Sequence, residues 1–351
     1  MNPARLSVER ADAICAHCHA SHVPNADAWD RETVTDPFNA GGDLRRAATM
    51  FWSEAEQKAL YRGKSPRRMQ PEPLDGRFWG DGTPLTTALE YQGMALSACY
   101  EDGHGRMKCI SCHSMHQGKP NFQLRDGMET NAACYQCHET YRDTLAAHTH
   151  HSAESPGSLC TNCHMPYQVY SLLTTHRTHR ISVPRVKDSV GTGKPHACNL
   201  CHLDKSLGWT QDKLGVWYGH APEPLSEEEK KDPSALLHLG QSDARTRVVV
   251  AGAFSWPPAR EASGTGWQGP LLVRVLEKER YPAVRYLGFR GLRFLYDVEP
   301  ADYDYLGSPA KRTTQLDALR RRLDERCRPY PPAALDSLFL KRKDPDVIIN
   351  E

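Results

Sequence analysis

Five copies of the pattern Cys-x-x-Cys-His constrain this chain more than any other feature. They are Cys15-Ala-His-Cys18-His19, Cys109-Ile-Ser-Cys112-His113, Cys134-Tyr-Gln-Cys137-His138, Cys160-Thr-Asn-Cys163-His164 and Cys198-Asn-Leu-Cys201-His202. A single copy has other readings, a zinc site or a redox dithiol. Here each of the five pairs is followed at once by His, although His is only 17 of 351 residues. Chance, or five independent zinc ribbons, would not repeat that placement, so each copy reads as a c-type haem attachment site. The chemistry needs this spacing. Two thiols three residues apart form thioethers to the two vinyl groups of one haem, and the adjacent His reaches one face of the iron as proximal ligand. The expected cofactor is five haem c groups, each held by its motif's two cysteines and proximal His.

Composition agrees with a core filled by something other than aliphatic side chains. Apolar residues are 39% of the chain and mean hydropathy is −0.63. The haem region is poor in aliphatic residues, and porphyrins would supply the missing apolar core. With 44 basic against 43 acidic residues, charge gives no nucleic-acid signal. No run of 18 apolar residues predicts a transmembrane segment. Covalent haem attachment is done outside the bacterial cytoplasm, so the expected location is periplasmic, extracellular or at the cell surface. Yet Met1-Asn-Pro-Ala-Arg opens without a charged stretch followed by an apolar one. The expectation is a signal removed upstream, or more protein upstream that carries it.

Five irons call for up to five distal ligands. From Cys109 onward the first cysteines lie 25, 26 and 38 residues apart, so successive haems must lie close. His116 and His22 stand three residues past a proximal ligand, too near to reach the other face of their own iron but able to reach a neighbouring haem. The cluster His148-Thr-His150-His151 and the pair His176 and His179 supply others. The candidates are His116, His148, His151 and His179, with His176 or His22 fifth. His150 reads as structural or a propionate partner, His104 as a loop residue, and His17 as pointing away from its own motif. Met115 and Met165 lie close to proximal ligands and read as packing. Ten of twelve cysteines belong to motifs. Of the other two, Cys99 reads as a packed thiol, with haem ligation or a bond to Cys327 as alternatives.

Outside the motifs the pattern predicts helical turns around Leu6–Ala13, a helix within Asp43–Tyr61, and a helix over Glu90–Cys99. The turn-rich Phe78-Trp79-Gly-Asp-Gly-Thr-Pro is expected to cover a haem edge. A helix over Leu203–Tyr218 is expected to lay its aromatic face on the last haem. Beyond a charged, proline-rich linker, helices are expected at Arg245–Phe254, Gly269–Lys278, Pro282–Tyr296 and Leu316–Leu323. Paired helices with Pro at a helix start suggest a solenoid of the HEAT type. In Pro282–Tyr296, Arg285, Arg290 and Arg293 read as a solvated basic face, or one that docks an acidic partner or haem propionates. The expected fold is mainly α: a pentahaem domain over 1–220 with little regular structure, a linker over 221–233, and a HEAT-like α-solenoid over 234–351.

Several stretches resemble exported multihaem c-type cytochromes of the cytochrome c-554-like group that carry a C-terminal HEAT-repeat domain. They are Phe78-Trp79-Gly-Asp-Gly-Thr, Ser97-Ala-Cys99-Tyr, Cys109-Ile-Ser-Cys-His-Ser-Met-His116, His148-Thr-His-His151, Cys160-Thr-Asn-Cys-His-Met-Pro166, His179-Arg-Ile-Ser-Val-Pro184 and Cys198-Asn-Leu-Cys-His-Leu-Asp-Lys205. The likeness is firm over 76–220 and loose elsewhere. It implies bis-His haems in stacked and T-shaped pairs and a role in electron transfer. Family members are longer at the front, with further CxxCH motifs, so a haem-bearing partner chain is expected to dock near residues 1–30, alongside other redox partner proteins.

Two functions follow. An electron conduit needs closely spaced haems with both axial positions filled. An oxidoreductase acting on a small nitrogen or sulfur compound needs one open iron and nearby acid–base groups. His19 is the best proximal ligand for such a haem, because its motif stands 94 residues from the next. No Lys, Tyr or acid cluster marks a catalytic pocket. A structural subunit docking through the helical domain is a third reading, compatible with the first.

Overall fold

The computed structural model describes residues 2–25, 38–52, 76–116, 118–119, 122–324, 327 and 332–342. By internal contacts the chain forms two units. One comprises Met1–Met165 and Arg177–Val183, the other Pro166–His176 and Pro184–Glu351. The division therefore falls elsewhere than the composition change at residue 220, and the motif at Cys198 belongs to the second unit.

The first unit is built from short helices with a small aliphatic core. Helix α1 (Val8–His19) ends on the first motif. Its buried face is Ala13 and Ala16, which with Ala20 meet Leu44 and Ala48. Small side chains let neighbouring backbones come close. Strand β1 (His22–Pro24) follows and pairs antiparallel with β2 (Ala48–Met50), His22 opposite Met50. Helix α2 (Leu44–Ala47) is capped by Asp43, whose side chain accepts the Arg45 N–H. The expected helix over Asp43–Tyr61 thus stops at Ala47, because Ala48–Met50 are drawn into the sheet. Residues 53–61 of that expectation lie outside the described residues.

The expected helix over Glu90–Cys99 is two helices, α3 (Glu90–Ala95) and α4 (Ala98–Glu101). They part at Ser97, whose hydroxyl donates to the Gly93 carbonyl at 3.0 Å and accepts the Ile181 N–H at 2.9 Å. Phe78 bridges Pro84 in an antiparallel pair, and both Phe78 and Trp79 are buried. Motif helices α5 (Ala132–Tyr135) and α7 (Cys160–His164) flank α6 (Tyr141–Thr149).

In the second unit a two-stranded sheet, β3 (Tyr167–Ser171) with β4 (Thr174–Arg177), precedes α8 (Val186–Thr192) and the motif helix α9 (Ala197–Cys201). Helix α10 (Leu207–Tyr218) is capped by Ser206 and buries Leu207 and Leu214 with Val186 and Leu225. The short α11 (Glu227–Lys231) carries a full capping box between Ser226 and Glu229. Then come α12 (Ser234–Gln241), α13 (Ala244–Ala253), α14 (Pro257–Ser263), α15 (Gln268–Lys278), α16 (Pro282–Leu295), α17 (Pro309–Asp324) and α18 (Pro332–Lys341).

Helix α16 packs on α13 and α15, and α15 on α17. Val248, Leu271, Leu272, Val275, Val284, Leu287 and Leu292 are fully buried there. Each such side chain stabilises the unit by about 1.5–3 kcal/mol. Within it lies a buried ion pair: Arg247 Nε and Nη2 donate to Glu279 Oε2 at 2.7 Å and Oε1 at 2.9 Å. Both side chains are wholly inaccessible to solvent.

The basic face expected on Pro282–Tyr296 is corrected by this packing. Arg285 is buried and donates to the carbonyls of Tyr305, Glu279 and Arg280. Arg290 donates to Ser255 Oγ and Thr174 Oγ1. Only Arg293 of the three is exposed. Two of the cations hold backbone and hydroxyls together instead of facing water. Among the described residues, no helix is long and apolar enough to cross a membrane.

Candidate haem-binding site

In the first unit the motifs come together in twos. The Cys15 thiol lies beside that of Cys109, and this neighbour pulls Cys15 down to about 7. The Cys134 thiol stands in the same relation to Cys160, which is also pulled down to about 7. The first motif therefore neighbours the second, and the third the fourth.

One backbone device repeats in both pairs. Asp12, three residues before Cys15, accepts the backbone N–H of Cys109 at 2.9 Å. Asn131, three residues before Cys134, accepts that of Cys160 at 2.8 Å and donates to the Ser158 carbonyl at 2.8 Å. In each pair, a polar side chain one helical turn before the first cysteine of one motif holds the first cysteine of the next.

Two pairs of imidazoles face each other across a gap. His113 and His179 have ring centroids 6.1 Å apart, their planes inclined by 25°. His148 and His164 are 6.2 Å apart and inclined by 7°. Near-parallel rings in face contact would lie much closer than this. A metal bonded end-on to both rings, with metal–nitrogen bonds of about 2 Å, sets the centroids roughly 6.3 Å apart. The centroid separations therefore match those of two rings sharing one iron. One ring of each pair is a motif histidine, the other a candidate distal ligand.

The nitrogens are prepared for that use. A ring that donates from Nδ1 to a carbonyl takes the tautomer whose Nε2 lone pair can bind a metal. His113 donates in this way to Phe122 at 2.9 Å, and His164 to Ser182 at 2.9 Å. His22 donates to Ala20 at 2.9 Å and His151 to Thr149 at 2.7 Å. His179 bonds the Arg177 backbone. In His22, His151 and His179 the acceptor lies two residues back, so the local chain sets the tautomer. Burial pushes His148, His164 and His179 below the ordinary value, which favours the neutral, metal-binding form. The ring of His151 lies against Gly157, where any larger residue would strike it.

The other sequence candidates are placed differently. His176 brings Nε2, the nitrogen a ligand in the pattern above would use, to 3.4 Å from the Ser171 carbonyl. His116 is exposed on the loop after the second motif. His150 is an exposed left-handed helix cap with φ 55°, and His104 has φ 48° in a turn. His17 packs on Phe38, with centroids 4.7 Å apart. Met115 is exposed. Cys99 and Cys327 are partly buried free thiols, and burial pushes Cys99 up. His138 lies 6.3 Å from the Tyr141 ring, which lies 4.5 Å from His148. In the second unit the His202 ring lies 4.9 Å from Trp209 on α10. His196 is buried and caps α9 by accepting the Cys198 N–H on Nδ1 at 3.2 Å.

Around the first pair the structure reveals a support that motif spacing does not announce. Glu90 Oε2 lies 3.4 Å from His19 Nδ1, the ring of which is largely exposed. Burial pushes the Glu90 carboxyl up, but the His19 ring and the backbone N–H pull it further down, below the ordinary carboxylate value. On the same helix, Gln92 donates to the carbonyls of Ser21 at 2.9 Å and Phe51 at 3.1 Å. Gly93 lies so close to the His179–Arg180 backbone that a Cβ would sit 3.0 Å from Arg180 N.

A family described as the doubled CXXCH motif matches residues 104–143, which span the second and third motifs. No curated protein matches the chain. Among solved structures, the crystal structure of the outer cell wall cytochrome OcwA aligns with a TM-score of 0.36 at 15% identity, over 88% of this chain and 64% of that one. The doubled motif and the ligand chemistry support a c-type cytochrome that binds haem covalently.

Proposed function

We propose that the chain is an electron-transfer cytochrome with five covalently attached haems, ligated by two histidines wherever a distal ring is available, and that it works as a conduit or as a subunit of a larger cytochrome complex. The observation that carries this reading is the pair of iron-sized gaps, His113 to His179 and His148 to His164. Iron held by two imidazoles has no free position for substrate and exchanges single electrons, its potential set by ligands, burial and nearby charge. The Nδ1-to-carbonyl bonds of His22 and His151 match those of His113 and His164 and support their use as further distal ligands. His22 would serve a haem near residues 1–30, of this chain or of a haem-bearing partner.

The chain's own groups would do three things. Cysteine pairs would tether each haem, Nδ1-to-carbonyl bonds would hold each ring in its binding tautomer, and short helices would keep the irons close. Haem c attachment points to export, to the periplasm or the cell surface. The packing of α13, α15, α16 and α17 supports a HEAT-like stack over 234–351 as a docking element. A carbon monoxide difference spectrum of the reduced protein, with haem counted in the same sample, tests the reading. Five haems without a gas-induced change are expected. A change amounting to about one haem would favour small-molecule chemistry instead, starting at the largely exposed His19.

A further inference from the structure

We propose that Glu90 sets the reduction potentials of the first haem pair below those of the second. The inference rests on the haem reading above and assigns a role to a residue outside every motif.

The two pairs are built alike. Each has two motifs in thiol contact and an Asp12 or Asn131 clamp between them. They differ in what stands between a proximal ligand of one haem and the distal candidate of the next. Between His138 and His148 it is Tyr141, a neutral phenol, with ring separations of 6.3 and 4.5 Å. Beside His19 it is Glu90, 3.4 Å from Nδ1, which also acts electrostatically on His179. At this position the first pair carries a carboxylate and the second a phenol, in addition to the Asp12 and Asn131 difference at the clamps.

The carboxylate is held in place. Helix α3 is tied to Ser21 and Phe51 through Gln92 and lies against the backbone of His179 through Gly93. Ser97, just past its end, bonds both the His179 carbonyl at 3.2 Å and the Ile181 N–H. Among the described residues, Oε2 is buried and meets no donor in hydrogen-bond geometry, and His19 Nδ1 stands 3.4 Å from it. An anion beside a ligand's Nδ1–H increases that ligand's basicity, and a fixed negative charge favours the oxidised, more positive centre. Both effects lower the potential. They act on the haems of His19 and His113, and leave those of His138 and His164 as better electron acceptors.

The test is Glu90→Gln in the full, haem-loaded chain. Gln keeps an oxygen where the carboxylate was, so a purely geometric role would leave the potentials unmoved. Haem is counted by pyridine haemochrome and intact mass, and the optical reduction curve is recorded against applied potential. The expected result is the parental haem count with one or two of the curve's components moved to higher potential, and Glu90→Asp retaining the parental curve. An unmoved curve at parental haem content overturns the proposal. Should Glu90→Gln load less haem, Tyr141→Glu decides. Movement of part of its curve to lower potential supports the proposal, and an unchanged curve overturns it. A parent with fewer than five haems would speak against the haem reading itself, separately from this one.

Discussion

Asn131 Oδ1 accepts the backbone N–H of Cys160 at 2.8 Å, across 29 residues of sequence. The bond fixes where the fourth motif begins relative to the third. It has its counterpart in Asp12 and Cys109 at 2.9 Å, across 97 residues. Losing the acceptor leaves an enclosed N–H without a partner, at a cost of about 1–3 kcal/mol. Asn131→Ala is expected to lower the haem content of the isolated protein, and Asn131→Asp, which keeps the acceptor for Cys160 but loses the donor to Ser158, to lower it less. Intact mass distinguishes the loaded species.

On the proposed ligation, removing a distal ring opens an iron. His179→Ala and His148→Ala are each expected to add carbon monoxide binding equal to about one haem, with five haems still attached. His176→Ala is expected to add none, because its Nε2 is already turned to the Ser171 carbonyl. Gas binding by the His176 variant alone would reverse the assignment.

The Arg247–Glu279 pair gives a stability prediction. Both side chains are inaccessible and joined by two hydrogen bonds. Taking away one partner strands the other charge, which costs about 3–5 kcal/mol. Glu279→Gln is expected to lower the unfolding free energy of the second unit by that amount, read from a lower denaturant midpoint at unchanged slope, and to leave the haem spectrum of the first unchanged.

Asp243 caps α13 by accepting the Thr246 N–H at 2.9 Å. Burial pushes its carboxyl up, but the Thr246 N–H and Arg245 more than offset this and hold it below the ordinary value. A carboxyl lowered in the folded state contributes stability that is present above its unfolded pKa and lost as pH falls through the folded one. Asp243→Ala is therefore expected to cost about 1 kcal/mol at neutral pH. The gap to the parent should close as the pH drops below about 4. Chemical denaturation at several pH values checks both.

Residue chemistry at fixed local spacing was legible in the sequence. The motifs announce themselves, and His148 and His179 are among the free histidines that read as distal candidates. Helix α10 ends at Tyr218 as its pattern indicates, since capping and periodicity are local. What escaped notice acts across distance. Asp12, Glu90, Gln92 and Ser97 reach partners 71 to 97 residues away, and no local pattern marks a residue for such a bond. The single helix expected over Glu90–Cys99 failed for the same reason, because Ser97 is engaged by Ile181. Arg285 and Arg290 misled in the opposite sense. Their helical spacing implies a face, but not what that face meets.

The thiol contacts have a consequence for how such a molecule is made. Cys15 touches Cys109 and Cys134 touches Cys160, so the cysteines brought into contact are not those that share a haem. A chain that folded first, in an oxidising compartment, would hold ready-made partners for the wrong disulfides and would close its iron-sized gaps empty. On the proposed haem reading, attachment at these motifs would come while the chain is still open, and folding of this unit would follow it.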